Sequence, residues 1–206
     1  MTAPDAPRQR HAKAQARTRI RDQRKAIPAA QRDSDAVAMA MTLAQADLPI
    51  ASTTVAAFMS LPSEPQTHPL IELCQSRRCQ ILIPAVRGNH LDWMVLPPDG
   101  AQFKTGVLGI SEVLGASVGQ DAEPLQNCSL VLVPCLAVNE AGRRLGQGGG
   151  YYDRILAALA PAAQGGPLLV GVCFAHECGI EIPVEPHDAA LDGCLTGAGL
   201  HWFERT

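Results

Sequence analysis

Apolar positions along the chain fall into two textures. Over the first 46 residues they are sparse and spaced as helices space them; beyond residue 53 they come in short dense runs. Residues 9–27 are good helix formers without Gly or Pro, and Pro28 ends the run. A second helix is predicted over 30–46, rich in Ala and Met and carrying Val37, Met41 and Leu43. The runs 53–60, 80–83, 129–133 and 168–174 are β-branched or apolar and read as strands, with Pro84 closing the second; 91–96 is a weaker one. The 129–133 run is apolar throughout, as a strand covered on both faces would be. Thr67 is a plausible N-cap, with Pro69 in the first turn of a helix running to about residue 77. Another helix is expected over 151–160, after a long loop from 134 to 150. Residues 97–127 show no clear period, and 182–196 read as a Pro-containing loop leading to a short strand. Strands alternating with helices give an α/β fold: a mixed, largely parallel sheet flanked by helices on both faces, preceded by a basic helix. Ligands in such sheets bind beyond the carboxyl ends of the strands.

Composition narrows the class. With 47% hydrophobic residues the chain can bury a sizeable core, and 4% aromatics means a core of Ala, Val, Leu and Ile. No apolar run approaches the roughly 20 residues of a membrane helix, and no apolar stretch follows the basic N-terminus as in a secretory signal. A cytoplasmic monomer is expected, with residues 1–12 as a disordered tail and 13–206 as a single domain. Seven cysteines, an odd number without CxxC spacing, argue against a disulfide framework or a zinc site and for buried free thiols.

Charge is unevenly spread. Residues 1–32 hold nine Lys and Arg against two Asp, whereas the remainder is strongly acidic. Lys13, Arg17, Arg21 and Arg24 recur at spacings of four, four and three, so they share one helical face. That face either binds an anion or is solvated. Few aromatics accompany it and the body is acidic, so nucleic acid is a poor partner for it.

The densest chemistry lies between Leu132 and Arg154. Four glycines occupy five positions (Gly146, Gly148, Gly149 and Gly150); Arg143 and Arg144 precede them, and Tyr151, Tyr152 and Asp153 follow. Glycines let backbone amides turn toward a ligand, and arginines neutralise phosphate. Asp153 has the chemistry to hold a hard cation such as Mg²⁺, or it is a helix N-terminal charge. The run has neither Gly-Lys-Ser/Thr nor a clean GxGxxG, so it is neither a Walker A loop nor a dinucleotide fingerprint.

This run resembles the signature of the 5-formyltetrahydrofolate cyclo-ligase family, Gly-Arg-Leu-Gly-x-Gly-x-Gly-Tyr-Tyr-Asp after a Pro. Further likenesses follow in order: Lys13-x-x-x-Arg17 with Arg24-Lys25-Ala26-Ile27, Phe58 to Thr67, Gly109-Ile110-Ser111-Glu112, and Ile182 to Asp192 with its His187-Asp188 pair. The resemblance implies an enzyme that uses ATP and Mg²⁺ to convert 5-formyltetrahydrofolate to 5,10-methenyltetrahydrofolate. It implies ATP contacts at Lys13, Arg17, Arg144, Leu145, Gly146, Gln147, Gly148, Gly149, Gly150, Tyr151 and Tyr152. It implies reduced-folate contacts at Met59, Glu64 and the stretch Gln147 to Tyr151, with Tyr151 able to stack on a pteridine. Asp153 and Asp192 are the implied Mg²⁺ positions, with Asp188 as a rival to Asp192. Gln147 stands where the family often carries a bulkier or basic residue. An ATP-dependent relative acting on another substrate, and an anion- or nucleic-acid-binding protein using the first helix, remain the alternatives.

Overall fold

The computed structural model describes residues 6–99, 101–106, 109–185 and 188–204; His187 and residues 1–5 lie outside these. Two helices, α1 (Ala6–Lys25) and α2 (Ala29–Gln45), precede β1 (Thr54–Ala56), α3 (His68–Ser76), β2 (Gln80–Arg87) and β3 (His90–Leu96). Three short strands follow: β4 (Phe103–Thr105), β5 (Ser111–Val113) and β6 (Ser117–Gln120). Then come β7 (Leu130–Pro134), the ribbon β8 (Ala137–Val138) and β9 (Arg144–Leu145), α4 (Tyr151–Ala157), β10 (Leu168–Val172), β11 (Gly193–Thr196) and β12 (Gly199–Trp202).

Eight strands form one sheet in the order β12-β11-β10-β7-β1-β2-β3-β6. The strands from β11 to β2 run parallel; β12, β3 and β6 are antiparallel additions at the two flanks. The mixed, largely parallel sheet read from the sequence is thus present, and alternate residues of each strand feed opposite layers. Leu130 and Leu132 of β7 pack with Ala36, Met39 and Leu43 of α2 and Leu70 and Ile71 of α3. Val131 and Val133 pack instead with Ile155 and Leu156 of α4 and with Trp93. Helix α1 joins neither layer: Ala16 and Ile20 pack on Leu136, Ala137 and Leu145, the β8–β9 ribbon.

Several local expectations are corrected. Helix α1 begins at Ala6, inside the stretch expected as tail: residues 8–12 extend the run of helix formers, and Pro7 falls in the first turn, where its missing N–H breaks no intrahelical bond. Pro84 does not close β2. The amide of Val86, two residues on and on the same flank, donates to the Glu112 side chain rather than to a strand, so the flank where Pro84 lacks an N–H carries no ladder to break. Thr67 stands at the N-cap position of α3 as expected, but its hydroxyl makes no capping bond; it donates to the Phe58 carbonyl at 2.6 Å and ties the β1–α3 loop to its own start. Helix α4 stops at Ala157, short of residue 160. The expected loop from 134 to 150 contains the β8–β9 ribbon.

Candidate functional site

A cavity of about 440 Å³ opens at the carboxyl edge of the sheet, where β7 ends at Pro134 and the chain leaves β1. One wall comes from the β1–α3 loop and the neighbouring strands: Phe58, Met59, Leu61, Glu64, Val86 and Leu91. It is apolar except for Ser63 and for Glu64, which is 4% exposed. The Glu64 carboxylate accepts from the Leu61 amide at 2.9 Å through one oxygen and from the Gln147 side-chain amide at 2.9 Å through the other. Ile110, from the segment between β4 and β5, also reaches this cavity.

The opposite wall is Arg144, Gly146 to Gly150, Tyr151, Tyr152 and Asp153. Its glycines are required where they stand. Gly148 and Gly150 have φ of +107° and +69°, and a Cβ at Gly146 would lie 2.6 Å from Arg144 Nη1. Arg144 is buried, pairs with Asp153, and has its guanidinium 5.8 Å from the centre of the Tyr152 ring. Arg144 Nε and the Tyr152 hydroxyl are buried without a hydrogen-bond partner among the described residues. Burial pushes the Tyr152 phenol up, so it stays a neutral donor. Two orphaned donors beside a cavity are the complement of an anionic acceptor.

The basic face of α1 is a docking face. Lys13, 6% exposed, donates to Glu185 at 2.6 Å and to both oxygens of Asp188 at 2.9 and 2.8 Å. Arg17 Nε donates to the Gly146 carbonyl at 2.9 Å. Burial, with Arg21 alongside, lowers the Arg17 pKa, while Asp153, Asp188 and Glu185 oppose the change; a nearby phosphate would favour its charged form. Arg24, fully buried, forks onto Glu177 at 2.7 and 2.8 Å and donates to the Cys135 carbonyl.

Comparison with known proteins now decides the family. The model described as the 5-formyltetrahydrofolate cyclo-ligase family matches residues 9–197. The chain belongs to the 5-formyltetrahydrofolate cyclo-ligase family. A 5-formyltetrahydrofolate cyclo-ligase of Mycolicibacterium smegmatis is 34% identical over 188 residues, spanning 89% of this chain and 93% of that protein. One from Escherichia coli K12 is 31% identical over 149 residues, 69% of this chain and 77% of that protein. The fold matches the solved 5,10-methenyltetrahydrofolate synthetase of Aquifex aeolicus with a TM-score of 0.76 at 23% identity, covering 94% of each chain.

Most residues implied by cyclo-ligase membership converge. Met59, Glu64, Arg144, Gly146 to Tyr152 and Asp153 line one cavity, and Arg17 lies against Gly146 and Gly148. Leu145 is buried under α1, in β9. Tyr152 is the core-facing tyrosine, edge-on to Trp93 at 6.4 Å, while Tyr151 stays half-buried with its hydroxyl on the Gly88 carbonyl at 3.0 Å. Lys13 is engaged by Asp188 and Glu185 rather than open to the cavity.

Asp192 does not join Asp153. It accepts from the Leu169 amide at 2.8 Å, at the start of the parallel pair β10–β11, and so stands at the amino edge of the sheet. The cavity lies at the carboxyl edge, so the two aspartates are separated by about a strand length. Asp188 lies closer to the basic face of α1, since its charge raises the Arg17 pKa, but Lys13 and the Glu185 amide occupy its oxygens. Among the described residues no group of three or more His, Cys, Asp and Glu could cage a metal. One carboxylate, Asp153, fits a Mg²⁺ held mainly by phosphate oxygens and water. Arg21 and Ile110 were not implied as contacts, yet both line the cavity. Arg21 shared the periodicity of the basic stripe; Ile110 carried no signal beyond a motif match.

Proposed function

We propose that the chain catalyses ATP- and Mg²⁺-dependent ring closure of 5-formyltetrahydrofolate to 5,10-methenyltetrahydrofolate, with release of ADP and phosphate. The γ-phosphoryl group of ATP passes to the formyl oxygen; the folate N10 then attacks the activated carbon, its proton is lost, and the carbon–oxygen bond to phosphate breaks. The observation that carries this reading is one cavity with two unlike walls. One is apolar with one buried carboxylate, suited to a flat heterocycle bearing N–H donors. The other is cationic and glycine-rich, with orphaned donors at Arg144 and Tyr152, suited to phosphate. Family membership supports the same conclusion.

Phosphoryl transfer needs positioning and charge stabilisation more than covalent chemistry from the protein. Arg144 and Arg17 supply charge, the backbone from Gly146 to Gly150 follows the phosphates, and Tyr151 offers a ring face to the pteridine. Asp153 would hold Mg²⁺, which when bound neutralises phosphate charge and fixes its oxygens. No helix among the described residues is long and apolar enough to cross a membrane, which accords with a cytoplasmic enzyme acting on two small molecules. The test is near-ultraviolet absorbance of purified protein with 5-formyltetrahydrofolate, ATP and Mg²⁺. The methenyl band is expected to rise only when all three are present. No rise, with ATP still bound, would overturn the reading and leave a nucleotide enzyme with another acceptor.

A further inference from the structure

Arg21 is exposed, unlike its stripe neighbours Lys13 and Arg24, and it alone among these basic residues of α1 lines the cavity. Its Nη2 donates to the Gln147 backbone carbonyl at 2.8 Å and to Gln147 Oε1 at 3.0 Å, and its Nε lies 3.3 Å from the same Oε1. A guanidinium has donors only, so the oxygen of the Gln147 amide must face Arg21. The amide nitrogen is thereby turned toward Glu64, where it donates to Oε1 at 2.9 Å. The other carboxylate oxygen is fixed by the Leu61 amide within the turn that the Glu64 amide closes on the Leu61 carbonyl. An ionised carboxylate has about four acceptor sites. Two are occupied by the Leu61 and Gln147 amides, and the rest remain for whatever enters the cavity that Glu64 lines.

We propose that Arg21 and Gln147 are positioning residues: Arg21 orients the Gln147 amide, and Gln147 orients the Glu64 carboxylate to accept paired N–H donors of the substrate heterocycle. This rests on the reading of Glu64 as the folate-facing group. The relay also spans the cavity, tying the cationic wall to the apolar one. Its specificity follows from chemistry. A ring edge carrying an amino group and a ring N–H satisfies the remaining acceptor sites of the prepared carboxylate, whereas a ring edge presenting acceptors sets oxygen against oxygen and leaves those sites unsatisfied.

The test uses the full chain and measures equilibrium binding of 5-formyltetrahydrofolate and, separately, of ATP with Mg²⁺. Gln147→Met keeps length and removes the amide; it should weaken formylfolate binding about tenfold, the scale of one hydrogen bond to a charged group. Arg21→Met should weaken it about threefold, and Arg21→Lys should recover part of that loss. Because Arg21 acts through Gln147, the double variant should be no weaker than Gln147→Met alone. In turnover, the folate KM should rise more than kcat falls. Unchanged formylfolate affinity in Gln147→Met, or fully additive losses in the double variant, would overturn the relay. Wild-type protein that binds ATP but not formylfolate would instead overturn the folate reading on which it stands.

Discussion

The two walls of the cavity are built from opposite materials. The folate-facing wall descends from strand ends: Phe58 follows β1, Val86 belongs to β2 and Leu91 to β3, so its shape is set by the buried sheet. The glycine-rich wall rests on the core through Tyr152 and Leu145, but the shape of its loop depends on glycine dihedrals, on the Arg144–Asp153 pair and on hydrogen bonds from Arg17 and Arg21 of α1. Apolar walls tolerate substitution that conserves volume, whereas buried polar arrangements fail when one partner is lost. The second wall should therefore be the fragile one, in stability as well as in chemistry.

The largest effect is expected at Arg24. Arg24→Ala leaves Glu177 charged and buried without its partner and should cost about 3–5 kcal/mol in denaturant unfolding. A loss below about 1 kcal/mol would contradict the anchoring of α1 by this pair. Next is Arg144→Ala, which removes the buried cation of the phosphate wall. Turnover should fall roughly 10²–10³-fold, the scale for one preorganised charge-stabilising donor, with formylfolate affinity little changed. A smaller step follows at Gly150, whose φ of +69° a Cβ resists. Gly150→Ala should cost about 1–2 kcal/mol, read as a lowered unfolding midpoint together with a raised ATP KM. An unchanged midpoint would remove the strain argument.

The smallest effect within the working pH range concerns buried thiols packed against the sheet beneath both walls. Burial pushes the Cys74, Cys128 and Cys135 thiols up to about 12 from an ordinary value near 9. The folded chain keeps these protons where the unfolded chain loses them. Stability is thus full below pH 9 and declines as pH rises from 9 toward 12. Denaturant midpoints measured from pH 7 to 10.5 should be flat and then fall, with a shallower fall in Cys128→Ala. A flat profile throughout would contradict it.

The same contrast explains what the sequence disclosed. The strand at Leu130 to Val133 was legible because a strand covered on both faces must be apolar at every position. The glycine-rich wall was legible because so many glycines beside arginines have few other uses. The burial of Lys13 and Arg24 was not: their carboxylate partners, Asp188 and Glu177, lie 175 and 153 residues away, and a basic helical stripe looks the same whether solvated or docked. Asp192 was misplaced for a related reason. Motif likeness put it with Asp153, and only the register of β10 with β11 puts it at the far edge of the sheet. The β4–β5 hairpin escaped notice because Phe103, Lys104 and Thr105 are all exposed and leave no alternation to read.

The claim that the two walls serve different ligands is tested most directly by titrating Glu64→Gln and Arg144→Ala separately with 5-formyltetrahydrofolate and with ATP and Mg²⁺. Glu64→Gln should lose formylfolate affinity by about tenfold, the scale of a hydrogen bond to a charged group, and keep its ATP affinity. Arg144→Ala should do the reverse. Equal losses of both ligands in both variants would contradict the division and make the cavity a single undivided site.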